Sequence, residues 1–435
     1  MIYFASWAEG VFALALLVPF LFFAGCVLYL LRLAIYAAGR RNEVAELRPT
    51  SRNDTPPNRT INSAGRKRFV LLIPAHNESL VLGAALDSLN RLDYPADAYR
   101  AVVIADNCAD DTAGIAEDHG ATALVRFNDA EIGKGYALEW ALQQLGVGSD
   151  STISPRSNFS FDFDAVVILD ADTQVSPNLL TAFETGLNAG NGAMQVRYEV
   201  LNVGESWRTR LMSCALALAH IVKPLGREQL RLSDGLKGNG MCFARSVVET
   251  VAWSGASITE DIEYTLRLCR AGVRIAFLPD AAVWAQMPTT GAQAVSQRKR
   301  WEGGRYQLLT KVAPQLLLEG FRKRDRILRD RAIELIIPPF AEMFALPILL
   351  LCVSATVFLS TGWRSAEGYA IGWLIILFLQ ALYLFGGLWT ARVPARVALS
   401  IFAAPFYIVW KIGVYGVMAV SRSAGGWKRT ERREM

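Results

Sequence analysis

The apolar run Val166, Val167, Ile168, Leu169 ends in Asp170-Ala171-Asp172. Four apolar residues without polar alternation read as a central strand of a parallel sheet covered on both faces. If the extended conformation persists, side-chain alternation puts Asp170 and Asp172 on the same side. Two close carboxylates repel, so the pair calls for a cation or for water around both. Oxygen-only ligands at a strand's carboxyl end suit a hard ion, Mg²⁺ or Mn²⁺, with positions left open for substrate phosphate oxygens. A structural reading carries equal weight for an isolated D-x-D: Asp170 caps a turn and Asp172 starts the next helix.

Four further stretches carry candidate chemistry. In "PAHNES", Pro74 and Asn77 break the chain and Glu78 follows. In "ADNCADDT", Asp106 leaves a strand, where it can bond a base or ribose, while Asp111 and Thr112 are ordinary helix-start residues. "EIGKGYALEW" sets Lys134 between two glycines at a helix start, where free N–H groups and the helix dipole favour phosphate. It is no Walker A loop, and "GNGMCF" completes no dinucleotide fingerprint. In "SITEDIEYTLRL", Ser257 and Glu260 have capping-box spacing and Asp261 complements the helix dipole. The functional reading makes Asp261 a general base; a cap can fix the turn that presents it.

In "SQRKRWEGGRY", Gln297, Arg300 and Trp301 fall at i, i+3 and i+4 of a helix and share one face. Arginine forks onto phosphate and tryptophan packs on a sugar ring. A basic helix at the membrane surface would explain Arg298 and Lys299 but not Gln297.

These motifs need a scaffold, and from residue 68 the pattern supplies one. Strands "FVLLIP", "AVVIAD", "ATALVRF" and "AVVILD" alternate with helices over 79–91, 111–119 and 134–145. That order predicts an open, mostly parallel α/β sheet with ligands at the carboxyl ends of the strands. Residues 41–67 are polar and aperiodic, reading as a flexible cytoplasmic linker. A Ser-rich insertion follows at 149–162. The segment 206–230 has apolar residues between basic ends and reads as a helix lying on the membrane, with a core helix as the alternative.

The chain has 435 residues, 52% of them hydrophobic, and a net charge of +5, as suits a membrane protein carrying a sizeable polar domain. Residues 10–31, 343–360 and 369–390 are long enough to span a bilayer. The basic residues Arg32, Arg40 and Arg41 after the first stretch place the following chain in the cytoplasm. Lys411 divides the stretch 397–420, which reads as re-entrant or interfacial with a cytoplasmic C-terminus. The expected divisions are a first transmembrane helix in 1–40, the linker, a catalytic domain over 68–330, transmembrane and interfacial helices over 331–425, and a basic tail. The six cysteines form no CxxC pair and the three histidines no ligand pair, so a disulfide framework or zinc site is not expected.

Taken in order, PAHNE, ADN, GKGYAL, DAD, TED and QRKRW resemble the membrane-bound family-2 glycosyltransferases, the group with cellulose, chitin and hyaluronan synthases, poly-N-acetylglucosamine synthases and ceramide glucosyltransferase. The resemblance covers roughly residues 68–320. It implies a GT-A type, mostly parallel sheet with flanking helices, held between N- and C-terminal transmembrane helices. It also implies inverting transfer from a nucleotide sugar, a UDP-sugar by family, with Mg²⁺ or Mn²⁺. Carried over, Asp261 would be the base and Asp172 would hold the metal. Pro74, Asn77, Glu78, Asp106, Lys134 and Asp170 would contact the nucleotide sugar. Glu260, Gln297, Arg300 and Trp301 would line the diphosphate and acceptor site. The implied partners are the donor, a lipid or glycan acceptor and the membrane, with no nucleic acid; a polymeric product would need an oligomer or export partner to complete a channel. The expected location is the inner or plasma membrane, with cell-surface polysaccharide as the product and a single-step glycolipid synthase as the alternative. This sequence has no F-x-V-T-x-K-like segment after Trp301.

Overall fold

The computed structural model describes residues 2–50, 65–147, 160–255, 260–289, 308–408, 410, 411 and 413. Its centre is an eight-stranded sheet in the order β3-β2-β1-β4-β7-β6-β8-β5. The strands are β1 (Phe69–Ala75), β2 (Tyr99–Asp106), β3 (Thr122–Arg126), β4 (Ala165–Ile168), β5 (Gln174–Val175), β6 (Ala193–Val200), β7 (Met241–Ala244) and β8 (Ile275–Ala285). β3, β2, β1 and β4 are mutually parallel, as the alternation of strand and helix requires. β7 then enters antiparallel between β4 and β6, and β8 runs parallel to β6.

Alternation along the parallel strands builds two cores. Phe69, Leu71, Ile73, Val103 and Val167 pack on one face, and Val70, Leu72, Val102, Ile104, Val166 and Ile168 on the other. All of these are essentially without exposure, which explains the unbroken apolar runs. The first core receives α2 (Ser79–Leu89) and α5 (Leu179–Asn188), and the second receives α4 (Lys134–Gln144) and α9 (Glu260–Arg270). The short α3 (Thr112–Asp118) joins β2 to β3.

Among the described residues three helices are long and apolar enough to cross a membrane: Trp7–Ala38, which lies in α1 (Ile2–Ala38), Phe340–Thr361 and Arg364–Thr390. Phe20 of α1 meets the rings of Tyr369 and Trp373 edge-on, and Tyr369 donates to the Ala13 carbonyl at 2.7 Å. Lys411 is buried and paired with Glu342, in the first turn of Phe340–Thr361, at 2.7 Å.

The segment 206–230 is a core element along most of its length, against the expectation of a helix lying on the membrane. It forms α6 (Trp207–Ala217), a π-helical turn Leu218–Val222 and α7 (Lys223–Gln229). Cys214, Leu218, Val222 and Leu225 are buried against α1 and Arg364–Thr390. A methyl group on Gly226 would lie 2.3 Å from the Leu33 carbonyl oxygen, so only glycine allows that approach. The basic residues Lys223 and Arg227 are internal, paired with Glu334 and with Asp330 and Glu334 of the helix Arg326–Ile336. Tyr29 of α1 joins them, donating to Asp330 at 2.7 Å. Residues 41–50 also run against the sheet: Val44 is buried and the Ala45 carbonyl accepts from Arg197 at 2.7 Å.

Candidate active site

The loops after β1, β2 and β3 are pinned one to the next by asparagines in the left-handed region, a conformation that Asn tolerates better than most residues. Asn77 has φ 55° and its Oδ1 accepts from the Ala109 and Asp110 N–H groups at 2.7 and 3.3 Å. Asn107 has φ 50° and its Oδ1 accepts from the Asn128 N–H at 2.8 Å. His76 Nδ1 lies 2.7 Å from the Asp106 carbonyl. Glu78 is buried ahead of α2, and its N–H donates to Thr112 Oγ1 at 3.0 Å. Asp110 holds the start of α3 by accepting from the Thr112 and Ser79 N–H groups, whereas Asp111 makes no capping bond. Pro74 sits in β1 opposite Ile104.

Asp106 closes β2 and is 4% exposed. Its Oδ1 accepts from Arg126 Nη1 at 2.7 Å, and Arg126 also reaches Glu131. Sequence reasoning missed Arg126; an arginine closing a strand beside a carboxylate at the end of the neighbouring strand was the available signal.

Of the two courses open to the D-x-D, the chain takes the turn. β4 ends at Ile168, and the Thr173 N–H closes a turn onto the Asp170 carbonyl at 3.1 Å. Extended alternation therefore stops before the two carboxylates: Asp170 is half-buried and Asp172 is 3% exposed. Asp170 Oδ1 already has a cation, Lys134 Nζ, at 2.5 Å. The same ammonium bonds the Gly238 carbonyl at 2.5 Å. Lys134 is the first residue of α4, placed there by Gly133 at φ 124°. Among the described residues no group of three or more His, Cys, Asp or Glu could hold a metal. Two carboxylates short of a full protein cage fit Mg²⁺ or Mn²⁺ completed by substrate phosphate oxygens.

The loop 233–240 brings the third component. Buried Gln195 donates to the Asn239 carbonyl at 2.8 Å and accepts from the Lys237 N–H at 3.0 Å. Asn239, fully buried, accepts from the Asp170 N–H at 3.2 Å and donates to Thr173 at 2.8 Å, tying this loop to the D-x-D turn. Thr265 of α9 links the loop to the Asp261 turn, accepting from the Leu236 N–H at 2.9 Å and donating to the Asp261 carbonyl at 2.8 Å. A methyl group on Gly238 would lie 3.6 Å from Asp261 Oδ2 and 3.8 Å from Lys134 Nζ. Asp261, Lys134 and Asp170, far apart in sequence, thus meet around Gly238.

Burial pushes the Asp261 carboxyl above its ordinary range, against the opposing pull of the Ile262 N–H and Lys134. Burial and the adjacent Asp261 charge push Glu260 up to about 7. Aromatic packing fixes α9 behind these groups: Trp253 lies 4.6 Å from Tyr264, centroid to centroid, and donates to the Gly135 carbonyl at 3.2 Å. Gln195, Asn239, Thr265 and Trp253 were not singled out from sequence. Ser257, Gln297, Arg300 and Trp301 lie outside the described residues.

The family model described as "Glycosyltransferase like family 2" matches residues 66–304. The chain is 27% identical to the probable glycosyltransferase YdaM of Bacillus subtilis over 60% of either chain. It is 29% identical to a beta-monoglucosyldiacylglycerol synthase of Synechocystis over 54% of this chain and 47% of that protein. The chain therefore spans about half to three-fifths of the length of these relatives. Among solved structures it is similar to the mannosyltransferase PcManGT from Pyrobaculum calidifontis, in complex with GDP-Man and Mn²⁺, at 16% identity, a TM-score of 0.48, and coverage of 84% and 98%. With its family match covering more than half of the chain, this protein, a mixed sheet with flanking helices and apolar helices at both ends, belongs to glycosyltransferase family 2.

Proposed function

We propose that the protein is an inverting transferase that moves a sugar from a UDP-sugar to a membrane-associated acceptor in the assembly of a cell-surface polysaccharide. The observation that carries this reading is the meeting of Asp261, Lys134 and Asp170 around Gly238. Asp261 takes the proton of the acceptor hydroxyl as its oxygen bonds the anomeric carbon, and the bond from that carbon to the diphosphate breaks. A carboxylate of raised pKa is the stronger base for that transfer. Lys134, at the N-terminus of α4, contributes positive charge and free N–H groups beside the leaving diphosphate. A divalent ion held by Asp172 and completed by phosphate oxygens would supply further charge neutralisation there. Asp106, Glu78, Asn77 and Pro74 would contact the nucleotide and Glu260 the diphosphate and acceptor; the family resemblance gives Gln297, Arg300 and Trp301 the same role as Glu260. With α1 and the two C-terminal apolar helices in the membrane, the positive-inside rule puts the sheet in the cytoplasm.

A single-step transfer to a lipid is the second reading, favoured by the name of the Synechocystis relative. Product size separates the two. Protein in lipid nanodiscs, given Mn²⁺ or Mg²⁺, radiolabelled nucleotide sugars and a lipid extract, yields a ladder or high-mass polymer on the first reading and one extractable glycolipid on the second. Asp261→Asn lowers turnover by about 10²- to 10⁴-fold with donor affinity retained. Wild-type turnover in that variant removes Asp261 from the chemistry.

A further inference from the structure

The C-terminal helical segment Ala395–Ile408 begins just after the helix Arg364–Thr390 ends. At its far end Lys411 is held by Glu342, in the first turn of Phe340–Thr361. Those two apolar helices are consecutive and joined by the short turn at Gly362, so the end of the second and the start of the first lie toward the same membrane face. The segment therefore starts and finishes at one face and runs along it.

Its inner side packs antiparallel on α6. Cys214 Sγ lies 3.5 Å from the Val397 carbonyl near one end, and the Arg208 guanidinium lies 5.2 Å from the Trp410 ring near the other. Its outer side is apolar and open: Leu399, Phe402 and Phe406 are 63%, 71% and 75% exposed. Three large apolar side chains in a row on one surface mark an interaction site.

Three arginines stand on the segment and on the helix it packs against. Arg208 lies between the rings of Trp207 and Trp410, 4.5 Å from the first, where the segment meets α6, and its Nη1 is buried with no hydrogen-bond partner among the described residues. Arg210 is exposed and bonds the Gly204 carbonyl, and Arg396 is exposed one turn before Leu399. Among the described residues, none of the three forms an ion pair with a carboxylate. Lys223 and Arg227, further along the same segment, are consumed by Asp330 and Glu334.

We infer that the Arg208, Arg210 and Arg396 guanidiniums and the Leu399, Phe402 and Phe406 side chains form one docking surface for the anionic phospholipids of the bilayer. The apolar stripe enters the acyl boundary, the tryptophans sit at headgroup level, and the arginines fork onto phosphate oxygens. Anionic headgroups supply the carboxylate-like partner these cations lack. The surface lies outside the residues proposed for sugar transfer, so it stands or falls separately from that reading, given insertion of the three apolar helices.

The test places a fluorophore at Phe406→Cys in the full chain. Cys352, the one exposed native cysteine, is replaced by serine. Nanodiscs of phosphatidylcholine with acyl-chain quenchers carried on phosphatidylglycerol or on phosphatidylcholine report which lipid is adjacent. The expected result is quenching by both, about twofold stronger from phosphatidylglycerol. That preference disappears in Arg208→Gln/Arg210→Gln/Arg396→Gln and persists when the three are changed to lysine. Sugar transfer in phosphatidylcholine nanodiscs checks that the glutamine variant is folded. Equal quenching by the two lipids in the parent overturns the headgroup assignment. Protection from both lipid quenchers and aqueous iodide overturns it in favour of a second copy of the chain covering the stripe.

Discussion

Gly135 and Gly255 meet backbone against backbone: a methyl group on Gly135 would lie 2.8 Å from the Gly255 carbonyl oxygen. This contact sets the first turn of α4, which carries Lys134, against the chain that leads to Asp261. Gly255 donates to Glu139 at 2.9 Å and so is held from the same helix. A methyl on Gly255 would come 2.4 Å from the Tyr136 nitrogen, and backbone atoms cannot swing aside. Gly255→Ala is expected to lower stability by about 1–3 kcal/mol. It should cut turnover by about tenfold to a hundredfold, because a displacement near 1 Å is costly for positioned groups. Thermal unfolding and single-turnover rates check this; unchanged values would mean the contact positions nothing.

Arg126 is the sole ion-pair partner seen for the buried Asp106 among the described residues. Arg126→Gln leaves that carboxylate enclosed without its compensating charge, a loss of about 3–5 kcal/mol for a fully buried pair. On the proposed contact of Asp106 with the nucleotide, the donor KM should rise by more than kcat falls. Arg126→Lys should recover part of both. Denaturant unfolding and donor titration measure the two effects, and an unaltered donor KM would separate Asp106 from donor binding.

Glu260 gives the fold a pH dependence of defined sign. Its folded-state value is raised from 4.5 to about 7, so the native state binds more protons than the unfolded chain between those values. Its contribution is full below the unfolded pKa and is lost as pH rises through about 7, up to about 3 kcal/mol in all. Glu260→Gln should therefore flatten the stability profile between about pH 4.5 and 7. Equal slopes for the variant and the parent would show that the burial around Glu260 does not act on its charge.

Much of the sheet was legible because its information is local. The unbroken apolar runs of β1, β2 and β4 and the helix starts at Ser79, Thr112 and Lys134 follow from side-chain periodicity and turn chemistry within a few residues. The antiparallel entry of β7 was not legible: four residues carry no directional signal. At the D-x-D an extended course and a turn are equally open from the sequence; a turn bond from Thr173 and the hold of Asn239 on Asp170 select the turn.

The sequence by itself determined that carboxylates, a lysine and a glycine-rich turn would stand at strand and helix ends, since these residue types at those boundaries follow from local backbone physics. Only the tertiary structure decided which of them meet. Lys134 pairs with Asp170 across 36 residues, Arg126 neutralises Asp106, and Arg227 is spent on Asp330 rather than on headgroups. Burial and charge compensation act between elements that chain order separates, so a partner's identity is fixed by the packed sheet and not by spacing along the sequence.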